Sequence, residues 1–133
     1  MTELKNGVVE ISDDLIIKPG YSFEEFKKTK FYSNQDGIRI VELDDKVAID
    51  EREYLADLFF RNGIIYIISL TCCDKVFSEI DEPKRKEYHD EILKSYGIDD
   101  KAEFEWGSIY SVYDSRGNAS TINIEYKNRS WKN

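Results

Sequence analysis

The chain has one histidine, His89, and two cysteines, Cys72 and Cys73, side by side. An imidazole beside a thiol makes a thiolate nucleophile. Two features weigh against that chemistry here. His89 falls on the apolar stripe Tyr88, His89, Ile92, Leu93 and Tyr96 of an expected helix, where a histidine serves packing. Adjacent cysteines in a strand point to opposite faces, so they neither bridge each other nor converge on a metal. They read as small core residues. With His89 they would supply three zinc ligands at most. Asp13-Asp14, Asp44-Asp45 and Asp99-Asp100 are candidate carboxylate sites, but each falls where a turn is expected, and Asp caps turns through its side chain. A glycosidase-like pair would need one carboxyl of raised pKa in a cleft, and no segment points to one. The glycines are isolated, so no phosphate-cradling loop is present. The expectation is no catalytic residue, no cofactor and no metal.

The carboxylates have another use. The chain of 133 residues carries a net charge of −8, which disfavours nucleic acid and an anionic membrane surface. It suits a basic partner, or solubility alone. The acid is concentrated: Glu42, Asp44, Asp45, Asp50, Glu51, Glu53 and Asp57 stand against Lys46 and Arg52. Asp99, Asp100, Glu103 and Glu105 form a second cluster, and a basic tail holds Lys127, Arg129 and Lys132. The N-terminus lacks the features of a signal peptide, and no apolar run reaches membrane-spanning length. A reduced, cytoplasmic setting is expected, in which the sequons at Asn118 and Asn128 carry no meaning. The length predicts a single domain spanning 1–133.

The elements that must position these groups are legible. Val8 to Ile11 and Leu15 to Lys18 read as short strands before Pro19-Gly20. Ser22 and Glu25 form a capping box, with Tyr21 and Phe26 as its hydrophobic staple, opening a helix that ends near Lys30. Ser33 to Gly37 is a loop, Ile38 to Leu43 a strand, Asp44-Asp45-Lys46 a turn, and Val47 to Ile49 a return strand. A second helix begins at Pro83 and ends at Gly97. Phe104 to Tyr113 and Ser120 to Tyr126 make a late hairpin, the second strand alternating apolar with polar residues. Strands arriving in hairpins predict an α+β fold: a mainly antiparallel sheet of about six strands, with two helices packed on one face.

The sheet centre is the run on either side of Asn62-Gly63, a strong signal for a two-residue hairpin turn. Uninterrupted pairing from Arg61 with Ile64 puts Phe60, Leu58, Ala56, Ile65, Ile67 and Ser69 on one face. The other face receives Glu53, Leu55, Asp57, Phe59, Tyr66, Ile68, Leu70 and Cys72. Two readings follow for that second face. Either the N-terminal strands or loops cover it, or it is a partly exposed patch of aromatics among acids, as at protein interfaces. Trp106 and Trp131 divide in the same way, between core packing and interface anchoring.

The capped short helix Ser22-Phe23-Glu24-Glu25-Phe26, followed by hairpins containing Leu58-Phe59-Phe60-Arg61-Asn62-Gly63-Ile64-Ile65-Tyr66, resembles the build of small acidic bacterial toxin-immunity proteins. The resemblance implies a non-enzymatic cytoplasmic protein that binds one basic toxin, often a nuclease, and blocks or distorts its active site. The expected partner-binding residues are Asp44, Asp45, Asp50, Glu51, Glu53 and Asp57 for steering, with Phe59, Tyr66 and Trp106 as anchors. The competing expectation is a small ligand-binding domain or enzyme, with a pocket between sheet and helices lined by Tyr88, His89, Tyr110 and the carboxylates. A third is a subunit of a larger assembly.

Overall fold

The computed structural model describes residues 2–33, 40–99 and 101–128. The start of the expected strand at Ile38, most of the 33–37 loop, Asp100, Trp131, Arg129 and Lys132 lie outside the described residues. The fold is α+β and mainly antiparallel. A hairpin of β1 (Val9–Ser12) and β2 (Leu15–Ile17) precedes α1 (Phe23–Phe26). A seven-stranded sheet follows, built from β3 (Ile40–Glu42), β4 (Val47–Ile49), β5 (Arg52–Arg61), β6 (Ile64–Cys72), β7 (Lys101–Phe104), β8 (Gly107–Asp114) and β9 (Ala119–Tyr126), with α2 (Glu82–Ser95) between β6 and β7. The strand order is β3-β5-β6-β9-β8-β7, and β4 also pairs with β5. The strand number exceeds the expected six, because β7 separates from β8 at Glu105-Trp106 and becomes an edge.

The local signals act as their chemistry dictates. The Ser22 hydroxyl accepts the Glu25 N–H at 3.1 Å, and the Glu25 carboxylate accepts the Ser22 N–H at 2.9 Å, which completes the capping box. The helix stops at Phe26, with Lys27 as its cap, short of the expected Lys30. Phe23 and Phe26 instead spend the segment's apolar surface on Phe60, with ring centroids at 5.2 and 6.0 Å. At the far end of α2, Gly97 takes φ 78°, donates to the Lys94 carbonyl, and lets Ile98 donate back to Leu93. That is a Schellman ending, and both Leu93 and Ile98 are buried.

Two irregularities correct the expected sheet. The first lies in the central hairpin. Arg61 pairs with Ile64 and Phe60 with Ile65, but Phe59 pairs with Ile67 and Leu58 with Ile68, because Tyr66 is an extra residue in a bulge. From there on the faces of β6 exchange relative to uninterrupted pairing. Ile68, Leu70 and Cys72 join Leu58, Ala56 and Tyr54 in the core, while Ile67 and Ser69 turn away.

The second concerns Asp44-Asp45-Lys46, which does not reverse the chain. β3 and β4 both run antiparallel to β5, pairing Glu42 with Asp57 and then Val47 with Tyr54. They are one edge strand interrupted by an insert, and the true return is made at Asp50-Glu51. Both of those residues have positive φ, 49° and 71°, as a tight hairpin turn of this hand requires.

The core lies on one side of the sheet. Tyr54, Leu58, Ile65, Ile68, Ile109, Ile122 and Ile124 form a continuous buried cluster with Val9, Leu15 and Ile17 of the first hairpin, Phe26 of α1, and Ile92 and Leu93 of α2. Both helices and the first hairpin therefore occupy the same face.

Candidate binding face

The opposite face is set by strand alternation. Residues paired directly across an antiparallel ladder share a face, so the register assembles rows of side chains. One row runs Ile40, Phe59, Ile67, Glu125, Ser108, Glu103. The next runs Glu42, Asp57, Ser69, Asn123, Tyr110, Lys101. A third holds Leu55 beside Thr71, and Thr121 beside Val112. Along β5 the burial alternates strictly, with Tyr54, Ala56, Leu58 and Phe60 inside and their odd-numbered neighbours exposed or half-buried. No helix or strand among the described residues packs on this side. Ile40, Leu55 and Val112 remain 45%, 47% and 36% exposed there, so among the described residues the first hairpin and both helices leave this face partly exposed.

Its electrostatics follow from what it lacks. Burial, and then the charge of Glu42 across the ladder, push the Asp57 carboxyl above its ordinary pKa. The Tyr110 hydroxyl donates to the Glu125 carboxylate at 3.0 Å, and burial together with that bond pushes the phenol up to about 12. The bulge sets Tyr66 beside Ile67 on this face, with the Arg61 guanidinium 5.8 Å from its ring centre. Within the described strands, Arg61 and Lys101 are the face's cations, while Glu42, Glu53, Asp57, Glu103, Asp114 and Glu125 are its acids.

Of the residues expected to bind a partner, Glu53, Asp57, Phe59 and Tyr66 fall on this face. Asp44 and Asp45 protrude from the edge insert beside it. Asp50 has a structural partner: its carboxylate accepts the Tyr96 hydroxyl at 2.5 Å, tying the β4–β5 turn to the end of α2. Glu51 is exposed in the same turn. Trp106 sits apart from them. Its ring lies over Gly7, stacks on Phe104 at 5.2 Å, and donates its N–H to the Lys5 carbonyl at 2.9 Å. It packs the N-terminal segment onto the core side of the sheet. Sequence reasoning placed Leu55 on this face and missed Ile40, Glu42, Ile67, Tyr110 and Val112 as its members. Alternation alone marks Leu55, but Ile67 needed the bulge, and Glu42 needed β3 to run alongside β5.

The residues imagined around a pocket are not brought together. Tyr88 and His89 are on α2, on the core side, and Tyr110 is on the opposite face. His89 is fully buried and accepts the Cys72 backbone N–H at Nε2, 3.1 Å away, while Arg85 takes the Cys72 carbonyl. Helix side chains thus satisfy the backbone of β6 where its ladder with β9 has ended. Burial lowers the His89 pKa to about 4 and raises that of the Cys72 thiol, the reverse of what an activated thiolate needs. Among the described residues, no group of three His, Cys, Asp or Glu side chains could hold a metal ion. No helix among them is long and apolar enough to cross a membrane. Comparison with known proteins adds no relative to this geometry: no protein-family model, curated protein or solved structure matches the chain.

Proposed function

We propose that this chain is a non-enzymatic protein-binding module of the toxin-immunity kind, which binds a cognate basic toxin in the cytoplasm and occludes its active site. The observation that carries the reading is the sheet face opposite the helices, where exposed Ile40, Leu55 and Val112 stand among carboxylates. Soluble proteins keep such patches where they meet a partner. Acidic groups speed encounter with a basic protein, and buried aromatics such as Phe59 and Tyr66 slow its departure. The resemblance of the capped helix and central hairpins to immunity proteins supports the same class.

The test is genetic. The genes beside this one are screened for a basic toxin domain, which is co-expressed with the chain while growth is followed. Protection by the chain, lost in a Phe59→Lys and Asp57→Lys double variant that still folds, is the expected result. Growth arrest with the wild-type chain present sinks the proposal.

A further inference from the structure

We infer that the partner docks broadside on the sheet face opposite the helices, through a surface with an apolar centre and cationic flanks, and does not add a strand to either sheet edge. The inference rests on the binding reading above and specifies its geometry. Strand addition needs a run of unpaired backbone groups, and both edges are blunted. β7 is four residues long and alternates the exposed charges Lys101 and Glu103. The other edge is divided into β3 and β4, three residues each, by the Asp44-Asp45-Lys46 insert. Short, charged and bulged edges resist strand pairing.

The face has the opposite character. Ile40, Phe59 and Ile67 form a continuous apolar row across three strands, and exposed Leu55 and Val112 stand in the third row, beyond the polar row of Asp57, Ser69, Asn123 and Tyr110. Charge complementarity selects the occupant. Glu42, Glu53 and Asp57 cluster on the β3–β4–β5 half, joined at the edge by Asp44 and Asp45. Lys101 lies on the far strand. A partner must therefore bring its cations to the β3–β5 half, around an apolar centre that meets Phe59 and Ile67.

The experiment titrates the isotope-labelled full-length chain with a synthetic amphipathic helical peptide, Leu on one face and Arg on its flanks, and follows backbone amide shifts. The same peptide with Glu for Arg is the control. Shifts across β5, β6 and β9, weaker with the Glu peptide and reduced about tenfold in affinity by Leu55→Lys with Val112→Lys, are the expected result. Both substituted positions are already exposed, and Ile16→Lys on β2, equally exposed but on the other side, should leave binding unchanged. Shifts confined to β7 or β3–β4 overturn broadside docking. Equal response to both peptides, or none, overturns the cationic occupant. Protection in the growth assay is read separately, so a chain that protects cells but ignores the face peptide keeps the binding function and loses this docking mode.

Discussion

Glu42 and Asp57 stand directly opposite each other across the β3–β5 ladder, and no cation among the described residues pairs with either. Like charges at paired positions destabilise a sheet. Glu42→Gln should therefore raise stability by about 0.5 kcal/mol, read from a urea midpoint. The pH dependence has a definite sign. The folded-state pKa of Asp57 is raised, so the folded chain binds its proton more tightly than the unfolded chain. The penalty is absent below the unfolded value of 3.8 and grows as pH rises through the raised one. Glu42→Gln should flatten that slope, and an unchanged slope refutes the coupling.

His89 gives the opposite dependence. Its pKa falls from 6.5 to about 4 on folding, so its contribution is full above pH 6.5 and is lost as pH falls toward 4. The size is about 3 kcal/mol at neutral pH. Denaturation between pH 7 and pH 4.5 should show this loss in the wild-type chain. His89→Leu should be less stable at pH 7 by roughly 1–3 kcal/mol, because the Cys72 N–H loses its acceptor, and should lack the acid slope.

Glu51 holds φ 71° in the β4–β5 turn, a conformation that glycine adopts without side-chain strain. Glu51→Gly should raise stability by about 0.5–1 kcal/mol, seen as a higher melting temperature. A fall in melting temperature would show that the Glu51 side chain supports the turn.

Gly107 opens β8 where it crosses β9. A Cβ there would come 1.9 Å from the Glu125 carbonyl oxygen, a collision with backbone that no rotamer relieves. Gly107→Ala should cost more than about 3 kcal/mol, or abolish folding in thermal melts. Gly63→Ala is the contrast, because that site is open and only its φ of 79° is strained; it should cost about 1 kcal/mol.

Which parts of this fold could be read in advance follows from where each decision is made. The Ser22–Glu25 box, the Asn62-Gly63 turn and the Gly97 ending are local, and each stands where its residues put it. The Tyr66 bulge is not local. Ile64 to Leu70 is apolar nearly throughout, so alternation could not show which of its residues enter the core. The choice is made by packing, which buries Ile65 and Ile68 and leaves Tyr66 and Ile67 half-buried. Asp44-Asp45-Lys46 has turn composition, but a strand insert at an edge uses the same residues as a reversal. The site suffered from the same ambiguity. The acids were visible in the sequence, but Asp50 is held by Tyr96, and Trp106 by Lys5, through contacts distant along the chain.

Among the described residues the helices and the first hairpin pack on one side of the sheet, and this separates two kinds of position along a single strand. In β5 the even positions, Tyr54, Ala56, Leu58 and Phe60, hold the fold. The odd positions, Glu53, Leu55, Asp57 and Phe59, hold nothing inside and can be exchanged singly at little structural cost. Changes at alternate residues of one strand can therefore rewrite the chemistry of this face while the inward contacts of the same strand stay constant.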